Sequence, residues 1–178
     1  MKILHPPICR HPGVTLRQLE RSDAAAWYAY LRLQVVFEHT SWNLSSECDL
    51  LPLFDNIESS APQSDRRLAI VDSGSLELIG TVGFHTVSDI NKTAEIAYDL
   101  TPTMWGKGIA RAVCATVTSW AFEHLGWVRV QGTVLETNRR SQKVLKSCGY
   151  AYEGRLRAYR MVRGTPGDFA LFSRLATD

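Results

Sequence analysis

A chain of 178 residues, 45% hydrophobic and 21% charged, has the size and composition of one α/β domain and not of a disordered segment. No window of about 18 apolar residues exists, which excludes a membrane-spanning helix, and the start MKILHPPICRHPG holds no apolar run fit for an export signal. The net charge of +2 conceals an imbalance: residues 1–90 carry 7 Lys/Arg against 11 Asp/Glu, and residues 91–178 carry 13 against 7, so the second half suits either an anionic ligand or an ordinary solvated surface.

Cys9, Cys48, Cys114 and Cys148 form no C-x-x-C pair, and the five histidines are equally scattered, so no metal site is expected. Free thiols without an export signal point to the cytoplasm. No basic stripe interleaved with aromatics appears, which argues against direct nucleic-acid binding.

In chain order, VTLRQLE (14–20) alternates as a strand. Ser22 and Asp23 then offer a cap to one helix over AAAWYAYLRLQVV. Residues 38–45 break that pattern as a loop, and a second helix is expected over 46–58. RRLAIVD (66–72), the turn SGS and LELIGTVGFHTV (76–87) read as a hairpin, followed by the strand KTAEIAYDL (92–100), which Pro102 ends. A long helix over about 107–125 stops at Gly126. VRVQGTVLE (128–136) is a strand, NRRSQKVLKSCGY a short helix capped by Asn138 and stopped at Gly149, and AYEGRLRAYRMVRG with DFALFSRL two closing strands. The order β-α-α-β-β-β-α-β-α-β-β is mixed α/β over 1–178, with mostly antiparallel neighbours and one strand–helix–strand crossover.

The stretch TPTMWGKGIARA (101–112) places Gly106 and Gly108 where a helix begins. The first N–H groups of a helix have no internal acceptor and lie at the positive end of its dipole. Glycines there admit a phosphate to the backbone, although a tight turn chosen for its φ angle uses the same residues. The stretch is neither a dinucleotide-binding fingerprint, which needs a third glycine, nor a P-loop, which needs G-K-[ST].

The run AEIAYDLTPTMWGKGIARAV resembles the acetyl-coenzyme A motif Q/R-x-x-G-x-G/A of the GNAT N-acetyltransferase superfamily, with Thr103 departing from its first position. The wording YDL-x-P-x-x-WGKG, with VLETNRRSQKVLKSCGY downstream, resembles the RimJ/RimL-type branch of ribosomal-protein N-terminal acetyltransferases. The resemblance implies one mostly antiparallel sheet of about seven strands, with a β-bulge, strands 4 and 5 splayed apart and helices on both faces. It implies acetyl-CoA as co-substrate, with no metal, and direct transfer to a primary amine in a ternary complex. The acceptor implied is a protein or peptide N-terminus. A small-molecule amine (polyamine, antibiotic or amino acid) and a non-catalytic acyl-CoA-binding sensor are the alternatives, and both a monomer and a homodimer remain open.

Carried over position by position, the resemblance implies that the Ile96 N–H meets the thioester carbonyl and that Tyr98 and Leu100 pair with the pantetheine amides. The amides of Gly106, Lys107, Gly108, Ile109 and Ala110 would cradle the pyrophosphate, with Arg111 beside them. Asn138 would bond the pantetheine arm, and Arg139, Arg140 and Lys143 would meet the 3′-phosphate. Relatives place a tyrosine where this chain has Leu145, which cannot donate a proton, so Ser141 becomes the candidate donor to the leaving thiolate. Cys114 and Cys148 read as buried helix cysteines, which disfavours an acyl-cysteine intermediate.

An amine must be neutral to attack. At pH 7 a lysine-like amine, with a pKa near ~10.4, costs roughly 4–5 kcal/mol to deprotonate, and an α-amine near ~8 only about 1. A carboxylate acting through water then suffices. Strand alternation sets Ile96, Tyr98 and Leu100 on one face and Glu95, Ala97 and Asp99 on the other, which makes Glu95 the candidate base. Glu136 and His85 are further candidates. Trp42, in the 38–45 loop, His85, and Arg157 with Tyr159 near the last hairpin are candidates for the acceptor cleft, although Trp42 reads first as a core cap.

Overall fold

The computed structural model describes all 178 residues. Seven strands form one sheet in the order β1-β2-β3-β4-β5-β7-β6. They are β1 (Val14–Gln18), β2 (Arg66–Asp72), β3 (Leu78–Ser88), β4 (Thr93–Leu100), β5 (Arg129–Leu135), β6 (Ala151–Val162) and β7 (Thr165–Leu175). Only the β4–β5 pair is parallel, because the helix α4 (Ile109–Leu125) carries the chain back between them.

Both faces of the sheet are covered, and β2 shows how. Leu68 and Ile70 enter one core, where α4 lays down Ile109, Val113, Val117 and Ala121 at helical spacing and α5 (Arg139–Ser147) adds Leu145. Ala69 and Val71 enter the other, with Trp27 of α1 (Ala24–Leu31), Val36 of α2 (Gln34–Phe37) and Phe54 of α3 (Leu51–Glu58). A strand buried on both faces reads as an unbroken apolar run, as β2 does.

The helix expected over 24–36 is two helices. Leu33 has an extended ψ of 129°, and the chain turns there. A straight continuation could not deliver Val36, 5% exposed, to the core. The helix expected over 46–58 starts as a 3-10 turn, Glu47–Leu50, whose Ser46 and Asp49 form a reciprocal capping box. The bulge between β3 and β4 lies on β3, where Thr86 and Val87 stand opposite Ala94 and Thr86 takes a φ of 50°.

No helix is long and apolar enough to cross a membrane, and no cluster of three or more metal-ligating side chains forms.

Candidate active site

Strands β4 and β5 pair only at Thr93↔Arg129, Ala94↔Val130 and Glu95↔Gln131, and then diverge. β5 continues its ladder with β7 as far as Leu135↔Phe169, so the gap opens on the β4 side. Bonded pairs alternate along an antiparallel ladder. Thr101 donates to the Ile79 carbonyl, so the bonded β3–β4 pairs are 81/99, 83/97 and 85/95. Ile96, Tyr98 and Leu100 therefore turn their main-chain groups toward the gap, with Ile96 at the fork.

At the far end of β4 the chain makes the turn 101–108. Gly106 and Gly108 have φ of 78° and 81°, and a Cβ on either would meet nothing within 4 Å. The N–H groups of Gly106 through Arg111 donate to no protein acceptor; the first bond of the helix runs from Ala112 to the Gly108 carbonyl. His11 supports the turn through Nε2, 3.1 Å from the Lys107 carbonyl oxygen. None of Lys107, Arg111, Arg139, Arg140 and Lys143 takes part in an ion pair. Arg140 reaches from α5 to lie 4.7 Å over the Trp105 ring, whose Nε1 donates to the Leu100 carbonyl at 2.9 Å. Open amides, space above the glycines and unpaired cations fit a diphosphate.

Asn138 is committed at both ends of its amide. Oδ1 accepts from the Ser141 N–H at 3.0 Å as an N-cap, and Nδ2 donates to the His39 carbonyl at 3.3 Å. Ser141 meets Tyr98: the two hydroxyls lie 2.9 Å apart, and the phenol also donates to the Ser141 carbonyl at 3.1 Å. Burial pushes the Tyr98 phenol well up, so it stays protonated. The Tyr98–Ser141 pair was not legible in the sequence, where Tyr98 read as an apolar strand position and, by the resemblance, a partner for the pantetheine amides.

A cleft of about 520 Å³ opens at the β4–β5 gap and takes in both faces of β4: Ile96, Tyr98, Asn138 and Ser141 line it together with Glu95 and Ala97. Ala97 gives it a short-chained stretch between Glu95 and Tyr98. Glu95, 2% exposed, forms one wall. Its Oε1 accepts from the Thr133 hydroxyl and, at 3.0 Å, from Arg160 Nη2, while Oε2 is buried with no partner. His85 lines the same wall, with Nε2 3.7 Å from Glu95 Oε1 and Nδ1 2.8 Å from Thr86 Oγ1. Burial is the main cause that lowers the His85 pKa to about 4, so its ring is neutral near pH 7. Opposite stands Arg67, 6% exposed, which bonds Asp99 at 2.7 Å and Thr81 at 2.9 Å while lying 4.9 Å over Trp27. Trp42 lines the cleft and also packs edge-on against Trp27 at 5.7 Å.

Three candidates fall elsewhere. Glu136 pairs with Arg155 at 3.3 Å outside the cleft. Arg157 and Tyr159 are exposed, and neither lines it. Arg160 and Phe169 enter the cleft instead. Three residues of β6, Arg157 to Tyr159, stand opposite Asp168 alone, with Ala158 at a φ of 48°. That bulge re-aims the strand, which simple alternation does not foresee. Cys114 and Cys148 are buried, as expected, and line no part of the cleft. The Cys148 thiol is lowered to about 7, chiefly by its hydrogen bond with Cys114.

The family model described as an acetyltransferase (GNAT) domain matches residues 14–151. An uncharacterized N-acetyltransferase of Bacillus subtilis, YoaA, is 32% identical over 171 residues, 94% of this chain and 96% of that protein. The ribosomal-protein-S5-alanine acetyltransferase of Vibrio fischeri superposes with a TM-score of 0.82 at 22% identity, covering 95% of this chain and 96% of that one. A spermidine N-acetyltransferase of Vibrio cholerae, solved with CoA and spermine, gives 0.81 at 23% identity, covering 93% and 96%. The two solved structures share the fold, and one is named for a ribosomal protein, the other for a polyamine. The forked sheet, the open glycine turn and the matched model together make this chain a member of the GNAT acetyltransferase family.

Proposed function

We propose that the chain acetylates the α-amine of a protein or peptide N-terminus, in the manner of the RimJ/RimL-type enzymes its motifs resemble. Acetyl-CoA, when bound, supplies the acetyl group as a thioester. The amides of Gly106 to Ala110 hold its diphosphate, aided by Lys107 and Arg111, and Arg139, Arg140 and Lys143 are the cations available to its 3′-phosphate. Ile96, Tyr98 and Leu100 offer main-chain groups to the pantetheine, and Asn138 retains one N–H for it. Glu95 is the base: Oε2 is a buried acceptor with a vacant lone pair, able to take the ammonium proton directly or through one water. Ser141 is the proton donor to the leaving sulfur, and Tyr98 holds its hydroxyl in place.

The observation that carries the choice of acceptor is the charge balance of the cleft. Its two acids, Asp65 and Glu95, face two arginines, Arg67 and Arg160. A polyamine needs several unpaired acids spaced along its length, since each buried ammonium requires a partner. Glu95 Oε2 suits one ammonium, Asp65 is the one other acid and forms no ion pair, and Arg67, across the cleft, suits the oxygen of an adjoining carbonyl.

Thiol release from acetyl-CoA tests the proposal with peptides beginning in Ala, Ser or Met, with spermidine and with free amino acids. Peptide turnover supports it. Turnover confined to spermidine or amino acids overturns the choice of acceptor. Calorimetric binding of CoA without turnover on any amine overturns catalysis in favour of a sensor.

A further inference from the structure

The β6–β7 hairpin closes in two residues, Arg163 and Gly164, between the paired Val162 and Thr165. Both are left-handed, with φ of 51° and 79°. Such turns favour Asn, Asp or Gly at the first position, because a longer side chain is disfavoured there. An arginine is a local misfit, and its side chain accounts for it. Nη1 donates to the carbonyls of Phe37 and Thr40, both at 3.0 Å, and Nη2 to that of Glu38 at 3.3 Å. The guanidinium also lies 4.7 Å over the Phe37 ring. These carbonyls mark the C-terminal end of α2, where a cation is favoured.

The residues that follow, His39, Thr40, Ser41 and Trp42, line the cleft opposite its sheet wall. Asn138 grips the same segment from α5 through the His39 carbonyl. Beyond Glu95 no ladder joins β4 to β5, so hydrogen bonding within the sheet does not set the distance across the cleft mouth. Arg163, just outside the cleft lining, ties the hairpin tip to the 37–40 carbonyls, more than 120 residues away along the chain.

We propose that Arg163 is a positioning residue for the amine acceptor: it latches the 37–42 segment across the cleft and sets the width of the mouth. The proposal rests on the reading of this cleft as the acceptor site. It predicts that losing the latch weakens the acceptor and spares acetyl-CoA, whose proposed turn lies at the other end of β4.

The test uses Arg163→Gly, which removes the side chain with its bonds and relieves the left-handed backbone, and a cooperative thermal melt shows that the variant folds. Arg163→Lys keeps a charge that cannot span three carbonyls and stack as well. Hydrogen exchange reads the amides of His39 and Thr40, which donate to Val36 and Phe37. Kinetics use the alanine-initiated peptide and acetyl-CoA. In the glycine variant exchange over 37–42 is expected to quicken, and the peptide KM to rise, each about tenfold, with acetyl-CoA KM unchanged and the lysine variant between. Unchanged exchange overturns the latch. Faster exchange with an unchanged peptide KM overturns the reading of the cleft, since the segment then moves without affecting the acceptor. A rise in both KM values overturns the assignment to the acceptor alone.

Discussion

The glycine turn lends itself to a test that separates folding from binding. Gly106 and Gly108 have φ of 78° and 81°, and Gly126, at the far end of α4, has a φ of 64°; a Cβ on any of the three meets nothing within 4 Å. Alanine at each position therefore brings no clash within the protein and the same backbone strain, about 1 kcal/mol for an L-residue held left-handed. For a chain of this length that strain lowers the melting midpoint by about 2–4 °C. What differs is what the methyl group faces: at 106 and 108 it stands among the six unpaired amides, and at 126 it faces solvent. Each hydrogen bond to an ionised phosphate oxygen contributes about 1.5–3 kcal/mol, so losing one raises the Kd for CoA roughly 10- to 100-fold. Isothermal calorimetry with CoA, beside thermal melts of the three variants, measures both quantities. Gly106→Ala and Gly108→Ala should lose affinity where Gly126→Ala does not, with all three melting alike. If the first two bind CoA within about twofold of the parent, the turn is not the phosphate cradle.

Glu95→Gln keeps a carbonyl oxygen for Thr133 and Arg160 but puts a donor where Oε2 stood. It should lower kcat by about 10²–10⁴ with CoA affinity retained, and Ser141→Ala should lower kcat by a smaller factor of about 10. Wild-type turnover in both variants would dismiss the assigned roles. His85 supplies a pH dependence. Its folded pKa of about 4 lies below the ordinary 6.5, so the unfolded chain binds the proton first. Its contribution is complete above pH 6.5 and is lost as the pH falls toward 4, by at most about 3 kcal/mol. Chemical denaturation should show a flatter acid limb for His85→Gln over that window; parallel curves for the two proteins would refute the buried-neutral assignment.

Hydrophobic periodicity and punctuation carried most of the fold. The apolar run of β2, the helical stripe of α4, the stop at Gly126 and the cap at Asn138 are local features, and each was legible because a few neighbouring residues decide it. The glycine turn was legible for the same reason: left-handed backbone next to a helix start is a short-range property. The break at Leu33 was not, because the segment 24–36 carries no Gly or Pro and only the position of Val36 against the core required the turn.

The cleft depended on contacts between distant parts of the chain. Glu95 was a candidate from strand alternation, but its partner Arg160 lies 65 residues away and reaches it past a bulge. Tyr98 and Ser141 meet across 43 residues, and Arg163 meets α2 across more than 120. Glu136 had the right chemistry beside Asn138, yet the strand end turns it outward to Arg155. The sequence by itself thus determined most of the elements, their order and the open glycine turn, since these follow from backbone preference and local burial. Only the tertiary structure decided which charges neutralise one another in the cleft and which carboxylate oxygen is left free. Ion pairing acts through space over a few ångströms and leaves no periodic trace along the chain.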